Sequence, residues 1–325
     1  MAAADPASIS ETITAAAQPS ENGSHLTGIT QESDTEFTAH VYSAAMDKDI
    51  ELHVLRPAGP IEARPTLYLL NGAGGGEDES GIDWKDRTDV VEFFADKNVN
   101  VVIPIGGQTS YYTDWQQEDP VLGRNQWTTF FTEELPPVVD SALGGNGRNA
   151  IAGLSMSGTS VLALAESSPG LYDAVAAYSG CASTSDPVGQ AYVRTVVEAR
   201  GGGNTHNMWG AVGDGGWAAN DPLLHAEKLR GTAVYISSGS GLIGDHDNLN
   251  APDVQGDPSV LAQQIVVGGV IEAATNECSH RMKERLDSLG IPATYNFRAR
   301  GTHSWGYWED DLHDSWPMIA KAVGL

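Results

Sequence analysis

Gly153-Leu154-Ser155-Met156-Ser157-Gly158 constrains this chain more than any other stretch. An apolar run, Ala150–Ala152, precedes it, and a helix-like run, Thr159–Ala165, follows. A strand, a serine between small residues and a helix predict a turn so sharp that the serine hydroxyl stands at its tip. Such a turn demands small side chains two residues before and two after the serine. Gly153 meets that demand fully, and Ser157 stands compactly where glycine is more usual. The helix that follows aims its positive dipole end, and the Met156 N–H, at any oxyanion formed beside Ser155. A serine capping an ordinary helix fits the same letters, so the pattern needs partners elsewhere in the chain. Ser157 is the weaker nucleophile candidate, because no glycine lies two residues before it.

Strand, serine turn and helix together make the nucleophile elbow of the α/β-hydrolase fold, whose triad runs serine, acid, histidine along the chain. His303, in Gly301-Thr302-His303-Ser304-Trp305, follows a strand-like segment (293–297) and precedes a helix-like one (310–323), where the general base of this fold belongs. His40, His53, His206, His225, His280 and His313 lie in tails, early strands or polar helical stretches and read as structural or solvated. The acid stays open at this level. Asp245 and Asp247, in the polar loop after the strand-like 233–237, and Glu272, in the helical 271–278, are each able to orient the histidine. Most such carboxylates are simply solvated. Asp245-His246-Asp247 has the residues to hold a cation, but a short polar loop is the simpler reading. No metal and no organic cofactor is expected.

Glu36–Tyr42 and Ile50–Leu55 predict an antiparallel entry hairpin. Thr66–Leu70 predicts a buried strand that runs into the glycine-rich Asn71–Gly76. A helix over 88–97, a strand over 99–104 and a helix over 128–143 follow. This alternation predicts a mostly parallel sheet with helices on both faces. An oxyanion hole needs a second N–H from the loop after an early strand; Ala73 is the choice, paired with Met156. No Gly-Lys-Ser/Thr follows, which counts against a phosphate loop. The long, glycine-rich and aromatic Gly201–Pro222 predicts an inserted cap spanning about 183–230. Trp209, Trp217 and Trp305 suit a sugar-stacking or acyl-chain wall, although tryptophan is more often core.

With 325 residues, 41% of them hydrophobic, the chain has enough apolar material for one large core, expected over 31–325. Residues 1–30 lack periodicity and read as a flexible leader. A net charge of −25 argues against nucleic-acid binding and against docking on anionic lipid. No apolar run is long enough to span a membrane. Met1-Ala2-Ala3-Ala4-Asp5 lacks the basic segment and apolar core of a signal peptide. A cytoplasmic protein reads this way, and so does an exported one written without its signal. Cys181 and Cys278 lie in regions that can meet at the active-site edge of this fold; a disulfide is expected, with two buried thiols as the alternative.

Four blocks resemble the mycolyltransferases, the antigen 85 type of the mycobacterial envelope and its corynebacterial counterparts. They are Gly106-Gly107-Gln108-Thr109-Ser110-Tyr111-Tyr112-Thr113-Asp114-Trp115, the elbow, Met208-Trp209-Gly210 with Asn220-Asp221-Pro222, and Gly301–Trp305. The likeness runs from about Ala39 to the C-terminus. It implies a secreted, cell-envelope enzyme that moves a mycolic (corynomycolic) acyl chain from trehalose monomycolate through a Ser155 acyl-enzyme. The implied acceptors are a second trehalose monomycolate or arabinogalactan, and in some relatives a protein. The resemblance favours Glu272 over Asp245 and Asp247 as the acid. Mycobacterial members hold trehalose with an aspartate and a nearby arginine in the oxyanion loop; here Asn71 and Gly74 take those places. Asn71, Asp83, Gln108, Trp209 and Trp305 are the expected sugar neighbours. A carboxylesterase with water as acceptor and a non-catalytic surface binding protein are the alternatives, the second disfavoured by an intact serine, histidine and candidate acid.

Overall fold

Seven consecutive buried residues, Arg64–Leu70, form a strand covered on both faces, the pattern of a central strand in a parallel sheet. The computed structural model describes residues 8–77 and 82–325. Among the described residues nine strands form one sheet: β1 (His25–Gln31), β2 (Glu36–Ser43), β3 (Lys48–Leu55), β4 (Arg64–Leu70), β5 (Asn100–Ile105), β6 (Gly145–Leu154), β7 (Ala174–Tyr178), β8 (Ala233–Ser238) and β9 (Thr294–Phe297). Their order is β1-β2-β3-β5-β4-β6-β7-β8-β9. The expected hairpin is β2–β3, where Phe37, Ala39 and Val41 alternate inward against Ile50, Leu52 and Val54. From β5 to β9 all neighbours are parallel, so the C-terminal ends of β4, β6, β8 and β9 share one edge. Open sheets of this kind build sites along that edge.

Helices cover both faces. Ile13 of α1 (Ile9–Ala16), Val138 and Val139 of α2 (Leu135–Leu143), Val161 and Leu164 of α3 (Met156–Ser167) and Met282 and Leu286 of α4 (Gly269–Leu289) belong to one apolar cluster. Trp308, Leu312, Ile319 and Val323 of α5 (Trp305–Val323) belong to the other, with Trp84 and Phe94.

Three local expectations change. Within 1–30, expected as a flexible leader, Ile9–Ala16 forms α1 and His25 begins β1. Ser8 caps α1 in a reciprocal box with Glu11, Ile13 is fully buried, and β1 pairs with β2. The helix expected over 88–97 is two short pieces, Trp84–Arg87 and Val90–Phe94, because Thr88 is extended. The stretch after Gly201 is not irregular: Thr205–Trp209, Gly215–Ala219 and Pro222–His225 are short helices, started by side-chain caps from Asn204 and Asp221 at the first and last.

Candidate active site

Ser155 ends β6 and starts α3 with φ 57° and ψ −120°, a conformation that L-residues avoid at a cost on the order of 1–3 kcal/mol. Its N–H donates to Tyr178 O at 2.8 Å, which fastens the turn to the end of β7. A Cβ on Gly153 would lie 2.5 Å from Ser157 Oγ, so glycine is required there. Ser157 does more than stay small. Its Oγ accepts the Leu154 N–H at 2.9 Å and lies 3.1 Å from Leu70 O, where it donates across to the end of β4. Nothing in the letters signalled that tie.

The elbow presents its hydroxyl to a histidine brought from 148 residues away: Ser155 Oγ lies 2.8 Å from His303 Nε2. On the other side of the ring, Nδ1 lies 2.7 Å from Glu272 Oε2. Glu272 is fully buried, and its Oε1 accepts from Ser179 Oγ at 2.8 Å and from the Gly239 N–H. A carboxylate so held fixes Nδ1 as the donor, which leaves the Nε2 lone pair free to take the Ser155 proton. The His303 N–H donates to Gly268 O at 3.3 Å, and Trp308 packs edge-on against the imidazole with centroids 4.9 Å apart. The imidazole therefore has one orientation.

Neither alternative acid reaches the histidine. Asp245 is exposed. Asp247 is buried but faces the other way, accepting from Gly244 N–H (2.7 Å), Gln264 Nε2 (2.8 Å), Tyr307 OH (2.8 Å) and Thr302 Oγ1. It braces the loop that carries His303.

The glycine-rich loop runs against the elbow. A Cβ on Gly72 would meet Leu154 Cδ1 at 2.8 Å and Ser155 Cβ at 3.5 Å. The Thr109 N–H donates to Ala73 O at 2.9 Å and the Gly106 N–H to Gly75 O at 2.8 Å, so the loop is tied down from the following strand end. Met156, the first residue of α3, is held through its sulfur by the Tyr111 N–H at 3.3 Å. Ala73, Ser155 and His303 line a pocket of about 430 Å³, together with Trp305 and the apolar Val260, Val267 and Ile271.

Of the five expected sugar neighbours, Trp305 lines this pocket and the other four do not. Asn71 is buried with its Nδ2 on Pro104 O at 3.2 Å. Asp83 is buried too. It caps the Trp84–Arg87 turn and holds His53 Nδ1 at 2.8 Å, which raises the His53 pKa. Gln108 sits behind the loop, its N–H on Glu77 at 2.9 Å. Trp209 is core, packed on Trp217 at 5.3 Å. Asn71, Asp83 and Trp209 are buried, and the partners just named hold all four side chains or backbones away from the pocket lining. Residues that do line the pocket, Arg87 and Asp253, carried no sequence signal because their contact is made only by folding.

Cys181 and Cys278 form a disulfide across a separation of 97 residues. It joins the loop after β7 to the helix that carries Glu272. Among the described residues no cluster of His, Cys, Asp or Glu could hold a metal ion, and no helix is long and apolar enough to cross a membrane.

Residues 43–319 match the family described as "Putative esterase". The diacylglycerol acyltransferase/mycolyltransferase Ag85B of Mycobacterium avium is 30% identical over 293 residues, 87% of this chain and 82% of that protein. The corresponding Ag85A of Mycobacterium ulcerans is 32% identical over 273 residues, 80% and 74% of the two chains. Among solved structures, MPT51 of Mycobacterium tuberculosis superposes with a TM-score of 0.70 at 28% identity, covering 86% of this chain and 96% of its own. An S-formylglutathione hydrolase from Agrobacterium tumefaciens, at 15% identity and a TM-score of 0.65, shares the fold over 92% of this chain and 100% of its own. By sequence and by fold, the chain belongs to the antigen 85 type mycolyltransferase family of α/β-hydrolase-fold esterases.

Proposed function

We propose that the protein is a serine acyltransferase that moves a mycolic-type acyl chain from trehalose monomycolate to a sugar hydroxyl. The observation that carries this reading is the continuous line Ser155 Oγ, His303, Glu272 opening into a pocket with an apolar wall. His303 Nε2 takes the Ser155 proton as Oγ attacks the ester carbonyl, and the carbonyl pair moves onto oxygen. The N–H groups of Ala73 and Met156 stabilise that oxyanion. Collapse of the adduct expels trehalose, protonated by His303, and leaves an ester on Ser155. A second sugar hydroxyl, from trehalose monomycolate or a cell-wall glycan such as arabinogalactan, then repeats the sequence in reverse. Glu272 holds the imidazolium throughout. Work outside the cytoplasmic membrane is supported by the Cys181–Cys278 bond, which persists in oxidising compartments.

Intact-protein mass spectrometry after incubation with a trehalose monoester tests the reading. The expected result is an acyl adduct on Ser155 that added trehalose discharges. Absence of any adduct, or an adduct on another residue, would overturn it.

A carboxylesterase with the same residues and water as acceptor is the second reading. It is favoured by the four expected sugar neighbours that lie outside the pocket. Product ratios with and without trehalose separate the two, since an esterase yields free acid in both.

A further inference from the structure

A second cavity, of about 110 Å³, lies along α3 and shares no lining residue with the Ser155 pocket. Glu166 lines it from the last turn of that helix. The side chain is 3% exposed, and its Oε1 has no hydrogen-bond partner among the described residues. A carboxylate is doubly misplaced there, buried without a donor and set at the negative end of the helix dipole. Burial pushes the Glu166 carboxyl well above the usual glutamate range; the Lys228 charge pulls it back, and Asp221 and Glu227 push it further up. Asp221 does not compete for a cation, because its oxygens already take the N–H groups of Thr184, Ser185 and Leu223. Lys228 lines the exposed end of the cavity and acts on Glu166 through space, forming no ion pair among the described residues.

Those two charges, opposite and unjoined, select the ligand class. The hydroxyls of Thr113, Ser160 and Ser167 line the same cavity but already donate within the fold, to Asn220 Oδ1 at 3.0 Å, Tyr111 O at 2.6 Å and Leu164 O at 2.8 Å. A neutral polyol would find few free donors there. What the cavity lacks is a donor for Glu166 and an acceptor for Lys228. A simple amine would meet Lys228 as a like charge, and a simple anion would meet Glu166. A molecule with an ammonium at one end and a carboxylate at the other satisfies both through charge-assisted hydrogen bonds. The Tyr111 and Trp209 rings also line the cavity, with centroids 6.1 Å apart, and such faces attract an ammonium. Size narrows the class further. A cavity of about 150 Å³ holds benzene, so one of about 110 Å³ admits about five or six non-hydrogen atoms, as in glycine or alanine.

We propose that the cavity between Glu166 and Lys228 binds a small free α-amino acid as its zwitterion. The ammonium faces Glu166, and the carboxylate faces Lys228 at the exposed end. The site stands independently of the acyl-transfer reading, because it uses none of Ser155, His303 and Glu272. Its link to the elbow is indirect: Tyr111, which lines the cavity, donates its N–H to Met156 Sδ at 3.3 Å.

Calorimetric titration of the full chain with glycine, L-alanine, ethylamine and acetate tests the site, in wild type, Glu166→Gln and Lys228→Met. Stoichiometry reads the folded fraction of each preparation and Kd reads the site, so partial unfolding of a variant does not mimic a loss of affinity. The expected result is saturable binding of glycine or L-alanine to wild type, weakened about tenfold or more in each variant. Ethylamine and acetate, each carrying one of the two charges, should bind at least about tenfold more weakly than L-alanine. No saturable binding of either amino acid at millimolar concentration overturns the proposal. So does binding that either variant retains within about twofold of wild type. Ethylamine or acetate binding as tightly as L-alanine overturns the zwitterion assignment.

Discussion

The Ser179 hydroxyl donates to Glu272 Oε1 at 2.8 Å, while the other oxygen of that carboxylate faces His303. Ser179 in turn accepts from Trp308 Nε1 at 3.1 Å, so the buried acid is braced from β7 and α5 at once. Glu272→Gln should lower kcat about a hundredfold or more, because an amide that presents its NH2 group to His303 disfavours the working tautomer. Asp247→Asn should cost much less, and Asp245→Asn nothing measurable. Steady-state kinetics on the three variants decides the acid; a larger loss in Asp247→Asn would sink the assignment.

Ser155→Ala should abolish transfer, with a loss on the order of a thousandfold or more. Ester turnover and labelling by a serine-directed phosphonate should disappear together. Near wild-type turnover would remove the nucleophile assignment.

Gly153→Ala should inactivate the enzyme by a clash: the new methyl meets Ser157 Oγ at 2.5 Å and Cβ at 3.0 Å. Adding Ser157→Gly removes both of those atoms and leaves the Ser157 carbonyl at 3.0 Å, so the double variant should recover part of the lost activity. It should not recover all, since Ser157 also ties to Leu70 O. Strict additivity of the two losses would show that the sites are not coupled.

Replacing Cys181 and Cys278 by serine should cost about 3–5 kcal/mol of stability, given how long a loop the bond closes. Urea midpoints with and without reductant measure it. Turnover should fall as well at temperatures below unfolding, because the bond holds the Glu272 helix against the Ser179 segment. A variant of unchanged midpoint would refute the first expectation.

Asp186 caps the helix Pro187–Arg194 through the Val188 and Gly189 N–H groups and meets Arg281 at 2.6 Å. Burial raises its pKa, but the N–H groups, the Ser183 hydroxyl and the Arg281 charge outweigh that and hold the carboxyl at about 2. The folded value lies below the unfolded one of about 3.9, so the unfolded chain binds the extra proton first. The stability that Asp186 contributes is complete above about pH 4–5 and fades as pH falls toward 2. Asp186→Ala should therefore cost about 1–2 kcal/mol at pH 6 and much less at pH 2.5, read from urea midpoints. An equal deficit at both values would contradict this.

The parts legible in the letters were those with a local cause. The alternation of Phe37, Ala39 and Val41 marks β2, and the unbroken apolar run marks β4. Small residues around Ser155 require a sharp turn, and His303 follows the last strand. Within the expected leader, 1–30, the helix Ile9–Ala16 escaped notice because one buried side chain, Ile13, leaves little periodicity to see. Four of the expected sugar neighbours lie apart from the pocket for a different reason. Asn71, Asp83 and Trp209 are polar or aromatic and close to the motif in sequence, yet each is buried away from the pocket lining.

Sequence alone determined the sharp turn at the elbow and which serine is the better placed at its tip. These follow from steric and hydrogen-bond rules acting within a dozen residues. Tertiary structure decided which of three carboxylates meets His303, that Ser157 bridges to Leu70, and that Arg87 faces Asp253. Those contacts join segments far apart in the chain, and their distances are set by sheet register and helix packing, which no short run of residues encodes.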